Sequence, residues 1–197
     1  MRELSLHILD VVENGIAAGG NCIWITVEED DKADQLKITI RDNGRGMPIE
    51  KLQRINDPFI TSRTTRRVGL GLSLLAAAAE RCEGTLRVDT SPGKGTEIEA
   101  TFRHGHIDRA PLGDMAATIT TLIIGNPGID FVYSHRIDGD EFSLDTREIR
   151  TEMEDLSLSD PVVIHHLTES IRSSLKELTS HKDSTRPNGG KDGKVND

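Results

Sequence analysis

The sequence predicts an α+β domain over residues 1–103, followed by an extension over 104–180 and a polar tail over 181–197. Three observations carry this reading. Residues 3–18 place Ile8, Leu9, Val12 and Ile16 within one arc at about 100° per residue, an amphipathic helix. Two pairs of segments with β-branched, period-two alternation follow, at 22–28 with 36–41 and at 85–89 with 97–102. A second apolar helical pattern at 70–81 lies between the pairs.

In chain order, the Gly19-Gly20-Asn21 cluster stops the first helix. Residues 22–28 and 36–41 read as antiparallel neighbours around an acidic loop. A glycine-rich bend at 42–48 leads to a short helix at 50–55, a loop at 57–68 and the helix at 70–81. The turn 91–95, Ser-Pro-Gly-Lys-Gly, joins the last two strands. Beyond 103 the spacing predicts a helix over 111–124 and a β-hairpin over 131–146 turning at Asp138-Gly139-Asp140. Asp160-Pro161 is an N-cap and first-turn pair. The helix it opens carries Ile164, Leu167, Ile171, Leu175 and Leu178 at spacings of three and four. This stripe reads as packing on its own domain; a homodimer through it stays open, although two heptads are marginal for a free coiled coil. After His181 almost nothing is apolar, the composition of a disordered tail.

Composition excludes several functions. A net charge of −9 argues against nucleic acid as partner, and 3% aromatic residues leave few stacking platforms. Cys22 and Cys82 lack metal-type spacing and read as buried small hydrophobes. The apolar runs at 74–79 and 121–125 are too short for a bilayer, and the N-terminus has no signal-peptide pattern. The expectation is a soluble, cytoplasmic protein without a membrane partner.

Three groups carry chemistry. Asp10 and Asn14 stand one turn apart on a helix face, where an amide oxygen can ligate a hydrated Mg²⁺ and a carboxylate can orient or deprotonate a nucleophile. Asp42-Asn43-Gly44-Arg45-Gly46-Met47 follows a strand directly, so backbone can approach a flat ligand beside a carboxylate able to accept an amino group. Asn-Gly is also a turn signal in its own right. Gly69-Leu70-Gly71-Leu72 opens a helix after a loop holding Arg63, Arg66 and Arg67, so orphan amides and cations together make an anion site.

The order and spacing of this set resemble the ATP-binding fold of histidine kinases, gyrase, the large heat-shock chaperones and mismatch-repair ATPases (the Bergerat, or GHKL, fold), over residues 4–102. HILDVVENGIAAGGNCIWITV (7–27) is similar to its N-box helix and following strand, and DNGRGM (42–47) to its first glycine box. Residues 57–88 resemble the F-box, lid and second glycine box of histidine kinases, and 91–102 the third. The resemblance implies a two-layer α/β sandwich binding ATP and Mg²⁺. Residue by residue, it implies Asn14 as Mg²⁺ ligand, Asp42 as adenine acceptor, and Met47 lining the base pocket with Gly44 and Gly46 giving it room. Gly69-Leu70-Gly71-Leu72 would receive the phosphates with Arg63 and Arg67, Phe59 would anchor the lid, and Thr96 would support the adenine end through water.

Three departures from the family pattern shape the expectation. Asp10 stands where hydrolysing members usually carry glutamate, so a base is present with one methylene less reach. Arg67 replaces the first glycine of the histidine kinase Gly-x-Gly-Leu-Gly-Leu, which suggests a stiffer hinge or an extra cation for the γ-phosphate. The chain starts at the N-box, without the phosphoacceptor hairpin or the preceding strand; the hairpin at 131–146 is expected to extend or cap the sheet instead.

Histidines outside these motifs read as ordinary. His7, three residues before Asp10, reads as a surface side chain beside the pocket, and His165 and His166 as solvated helix residues. The stretch His104 to Pro111, despite His104 and His106, reads as a linker without a second cluster to complete a metal site. The expected function is γ-phosphate transfer to a separate partner protein: a response regulator, a sigma-factor regulator or an enzyme. A slow ATPase switch and a non-catalytic nucleotide sensor are the alternatives.

Overall fold

The computed structural model describes residues 3–47, 70–152 and 157–185. Helix α1 (Leu4–Ala17) is followed by strands β1 (Cys22–Asp30) and β2 (Gln35–Asp42), helix α2 (Leu70–Arg81), and strands β3 (Leu86–Thr90) and β4 (Thr96–Arg103). The extension supplies α3 (Met115–Gly125), β5 (Asp130–Ile137), β6 (Asp140–Asp145), α4 (Thr146–Glu152) and α5 (Pro161–Thr185). The strands form one mixed sheet in the order β3-β4-β2-β1-β5-β6, antiparallel except where β5 runs parallel to β1.

Period-two alternation makes the sheet one-sided. Ile23, Ile25 and Val27 of β1, Leu36, Ile38 and Ile40 of β2, and Ile98, Ala100 and Phe102 of β4 are buried on one face. Phe131 and Tyr133 of β5 and Leu144 of β6 continue that face into the extension. The core helices supply Leu4, Ile8, Val11, Val12, Leu75, Ile119, Leu122 and Ile171 to the same apolar cluster. The opposite face carries polar pairs such as Lys37 with Glu28, and Arg41 stacked 5.2 Å from the Trp24 ring. An α+β sandwich results, as the sequence predicts.

The hairpin extends the sheet by pairing β5 with the free edge of β1 from Cys22↔Asp130 to Glu29↔Ile137. Its turn is the two-residue Asp138-Gly139, both at positive φ as a twist-matched hairpin requires. Thr146 Oγ1, fully buried, accepts the Phe131 N–H at 2.8 Å and closes the base of the hairpin.

Four expectations change. The helix expected from residue 111 begins at Met115, capped by Asp114, which accepts from Ala117 N–H at 2.8 Å. Residues 111 and 112 instead turn their carbonyls to the first amides of α1: Leu4 N–H donates to Pro111 and Ser5 N–H to Leu112. Those amides have no partner within the helix. The stretch from His104 is fastened rather than a free linker: His104 Nε2 meets Glu29 Oε2 at 2.9 Å, and Arg109 Nε–H donates to the His104 carbonyl at 2.6 Å. Helix α4 was not anticipated, and α5 continues to Thr185, four residues beyond His181. On α5, Ile171 is buried completely and Leu178 nearly so, with Ile164, Leu167 and Leu175 against the core. Its apolar stripe is thus spent within the chain. Among the described residues no helix is long and apolar enough to cross a membrane.

Candidate functional site

Helix α1 joins the two ends of the site. Its core residues Leu4, Ile8, Val11, Val12 and Gly15 fix its rotation, leaving Asp10 exposed and Asn14 half-buried on one flank. Helix α2 packs on this flank with its first turn. A Cβ placed on Gly71 would sit 3.1 Å from Asp10 Cβ and 3.8 Å from Asn14 Nδ2, so the absent side chain is what admits Asp10 and Asn14 to the α2 N-terminus. Asn14 Nδ2 donates to the Asp10 carbonyl at 2.7 Å, which leaves its amide oxygen for a cation. The first amides of α2 add a positive end to this corner.

The next residue, Gly15, abuts the second end: a Cβ there would lie 2.9 Å from Asp42 Cβ. Asp42 closes β2 and is 7% exposed. Its Oδ1 accepts the Gly44 N–H at 2.8 Å. Burial pushes the carboxyl above the ordinary aspartate range, opposed by hydrogen bonds from the Gly44 and Thr96 backbone. Around it, Asn43 Oδ1 accepts from Asn21 and Cys22 N–H at 2.9 and 3.1 Å, pinning the glycine bend to the start of β1. Met47 N–H donates to Thr90 Oγ1 at 2.9 Å, and Thr90 Oγ1 lies 3.1 Å from Thr96 Oγ1. Gly46, at φ +65°, packs against the Ser91 carbonyl, and Gly44 against Asp42 itself.

The structure therefore brings together Asp10, Asn14 and Gly71 at one end and Asp42, Gly44, Gly46, Met47 and Thr96 at the other. Leu72 departs from this set: it is 5% exposed and belongs to the hydrophobic core. Leu70 opens α2, and its side chain, with Phe59, Arg63, Arg67 and Gly69, lies outside the described residues. Sequence reasoning missed Asn43, Thr90 and Gly15. The first is legible as the partner of Asn21 only once β1 and β2 are paired. Thr90 joins the site through its pairing with Thr96 across β3 and β4.

His7 corrects an expectation. It is 4% exposed rather than a surface residue, and its Nδ1 has no hydrogen-bond partner among the described residues. It stands three residues before Asp10 on α1; the sequence does not tell which neighbour closes over a helix flank. Burial, helped by the chain's α-amino group, holds its imidazole below the ordinary histidine value of 6.5, with Asp10 pulling the other way. The folded state thus binds this proton more weakly than the unfolded chain. Its stability contribution is complete above pH 6.5 and is lost as pH falls below it, at up to about 1.4 kcal/mol per pH unit. His7→Leu is expected to flatten this acid slope in chemical denaturation series run at several pH values. An unchanged slope would contradict the burial argument. His165 and His166 are exposed on α5, as the sequence suggests.

The thiols of Cys22 and Cys82 are both free, buried and raised by desolvation, which fits inert core cysteines.

The family model described as "Histidine kinase-, DNA gyrase B-, and HSP90-like ATPase" matches residues 2–106. Sporulation kinase A of Bacillus subtilis (strain 168) is 29% identical over 102 residues, covering 51% of this chain and 16% of the kinase. Sensor protein kinase FleS of Pseudomonas aeruginosa PAO1 is 39% identical over 89 residues, covering 45% of this chain and 22% of that protein. The chain thus spans about a fifth of these relatives. A crystal structure of the N-terminal domain of a DNA repair protein superposes with a TM-score of 0.50 at 17% identity, covering 74% of this chain and 53% of that one. It shares the fold. With the family match spanning more than half of its residues, from α1 to the end of the β4 segment, this chain belongs to the histidine kinase-, DNA gyrase B- and HSP90-like ATPase family.

Proposed function

We propose that this protein binds Mg·ATP between α1, the glycine bend after β2 and the start of α2, and transfers the γ-phosphoryl group to a separate partner protein in a regulatory system. The observation that carries this is the linkage through α1: Asn14 faces Gly71 while Gly15 abuts Asp42. One helix turn thereby couples a cation-and-phosphate corner to a buried acceptor suited to a base amino group.

The residues fit the ligand. Asp42, raised yet held by backbone amides, accepts the adenine amino group. Gly44 and Gly46 keep its mouth open for a flat ring, and Met47 and Thr96 flank it. The amide oxygen of Asn14 would ligate the cation, and the α2 amides with Gly71 would receive the phosphates. Bound Mg²⁺ supplies charge neutralisation for in-line transfer. Asp10 is exposed, so an acceptor borne by another protein can reach it from solvent. The names of the kinase relatives support phosphoryl transfer; the partner in this reading is a response regulator, a sigma-factor regulator or an enzyme in the cytoplasm.

A second reading, a slow ATPase switch, is favoured by the carboxylate at Asp10, which can serve water as well as a protein hydroxyl. ATP labelled at the γ-phosphate distinguishes them. Asp10→Asn is expected to lower phosphate release or transfer by roughly 10²-fold or more with ATP still bound. Release without transfer to any candidate partner would favour the switch; failure of the wild-type protein to bind ATP would remove both.

A further inference from the structure

Three side chains stand in one row across the end of the sheet. Asp42 closes β2, Thr96 opens β4 directly opposite it, and Thr90 closes β3 directly opposite Thr96. Residues paired in this way point to the same face. Asp42 and Thr96 are each 7% exposed and would flank the base, whereas Thr90 lies one strand further out.

The protons on Thr90 fix the direction of its hydrogen bonds. Its hydroxyl has one proton and two lone pairs. One lone pair accepts the Met47 N–H at 2.9 Å. The Gly95 carbonyl, 3.0 Å away, can only accept, so it takes the Thr90 proton. Without a proton between them, two oxygens at that distance would set lone pair against lone pair. Thr96 Oγ1, at 3.1 Å, therefore meets the remaining lone pair of Thr90 and has to donate. Its proton is spent on Thr90, and it keeps only lone pairs for anything else. The turn holds this arrangement in place. Gly95, at φ +81°, packs so closely on the Asp42 carbonyl that a Cβ would overlap it, and Gly93 N–H donates to the Arg45 carbonyl at 2.8 Å. Asp42 Oδ1 accepts the Gly44 N–H at 2.8 Å, and the carboxylate also takes the Thr96 backbone amide, so what it has left is lone pairs too.

We infer that Thr90 is a positioning residue for nucleotide selection: by holding the Thr96 proton it makes Asp42 and Thr96 a surface of acceptors alone. Such a surface takes a base with an exocyclic amino group and turns away one with a carbonyl in its place. This rests on Asp42 and Thr96 reading the base. A carbonyl there would face two acceptors with no proton to share, a mismatch that polar sites reject strongly. Thr90 acts through Thr96 and need not touch the nucleotide.

The test is equilibrium binding of ATP and ITP, which carry an amino and a carbonyl group at the same ring carbon, to the full chain at neutral pH. Wild type, Thr90→Val, Thr90→Ser, Thr96→Val and the Thr90→Val/Thr96→Val double variant are compared, each checked for a cooperative melt. Wild type is expected to prefer ATP by roughly 100-fold. Thr90→Val frees the Thr96 proton and is expected to narrow that preference about tenfold, beyond any loss of affinity common to both nucleotides. Thr90→Ala carries the same expectation should valine overpack the strand end. Thr90→Ser keeps the oxygen and is expected to restore the preference. In the Thr96→Val background Thr90→Val should change the ratio no further, because no hydroxyl is left to orient. An unchanged ATP-to-ITP ratio in folded Thr90→Val overturns the role of Thr90 while the base pocket stands. Wild type that binds ATP and ITP alike overturns the acceptor surface, and failure to bind ATP at all removes the base pocket and this inference together.

Discussion

Asp42→Asn is expected to weaken ATP binding by roughly 10- to 100-fold, the value of a hydrogen bond to a charged acceptor at about 1.5–3 kcal/mol. The asparagine amide can keep the Gly44 N–H through its oxygen, so the glycine bend persists. What it loses is a second carboxylate oxygen able to accept an amino group. Stability should move the other way. Burial raises the Asp42 carboxyl above the ordinary 3.8, so the folded state holds this proton more strongly than the unfolded chain does. Its stability contribution is complete below 3.8 and is lost as pH rises through the raised folded value. At neutral pH the buried charge is therefore a cost, and the asparagine variant is expected to keep or raise Tm. The same shift makes wild-type ATP affinity decline in acid earlier than an ordinary aspartate would, whereas the variant's affinity stays flat. Isothermal titration at several pH values with thermal melts checks both; an affinity unchanged by the substitution would move the base pocket elsewhere.

Gly95→Ala should carry the largest stability penalty of any single-methyl change at the site. Gly95 has φ +81°, where an L side chain costs about 1–2 kcal/mol, and its Cβ would overlap the Asp42 carbonyl and carbonyl carbon. That carbonyl belongs to backbone paired with Thr96 across β2 and β4, so it cannot yield without breaking the ladder. The combined cost is expected to exceed about 3 kcal/mol. Because the displaced atoms belong to Asp42, ATP affinity should fall with stability. Gly93→Ala, in the same turn with nothing within 4 Å, isolates the conformational part of the penalty and should leave affinity intact. Equal losses in the two variants would mean that the overlap is relieved by an easy turn rearrangement.

Much of the molecule was legible because its periodicities are local. Helix α2 runs from Leu70 to Arg81 as its apolar spacing indicates, and each strand lies within two residues of its expected bounds. The Asp138-Gly139 turn follows from the φ preferences of two residues. The end of α5 and the start of α3 were misplaced for the same reason: helix ends depend on partners for their terminal groups. Residues 111 and 112 are drawn out of the helix by the α1 amides they satisfy.

The candidate site divides along the same line. Candidates for holding a nucleotide were visible because such chemistry asks for residue types at fixed spacings: Asp10 and Asn14 a turn apart, Asp42 and its glycines at a strand end. Packing alone decided that Leu72 turns into the core while Gly71 meets Asp10, and that Thr90 joins Thr96. Packing also decided that the extension completes the sheet along β1. The sequence by itself determined most of the elements and the family, since these depend on local propensity and motif spacing. Only the tertiary structure decided that His7 is buried, with a ring nitrogen unpaired among the described residues. Which neighbour covers a helix flank is a property of helices brought together from distant parts of the chain.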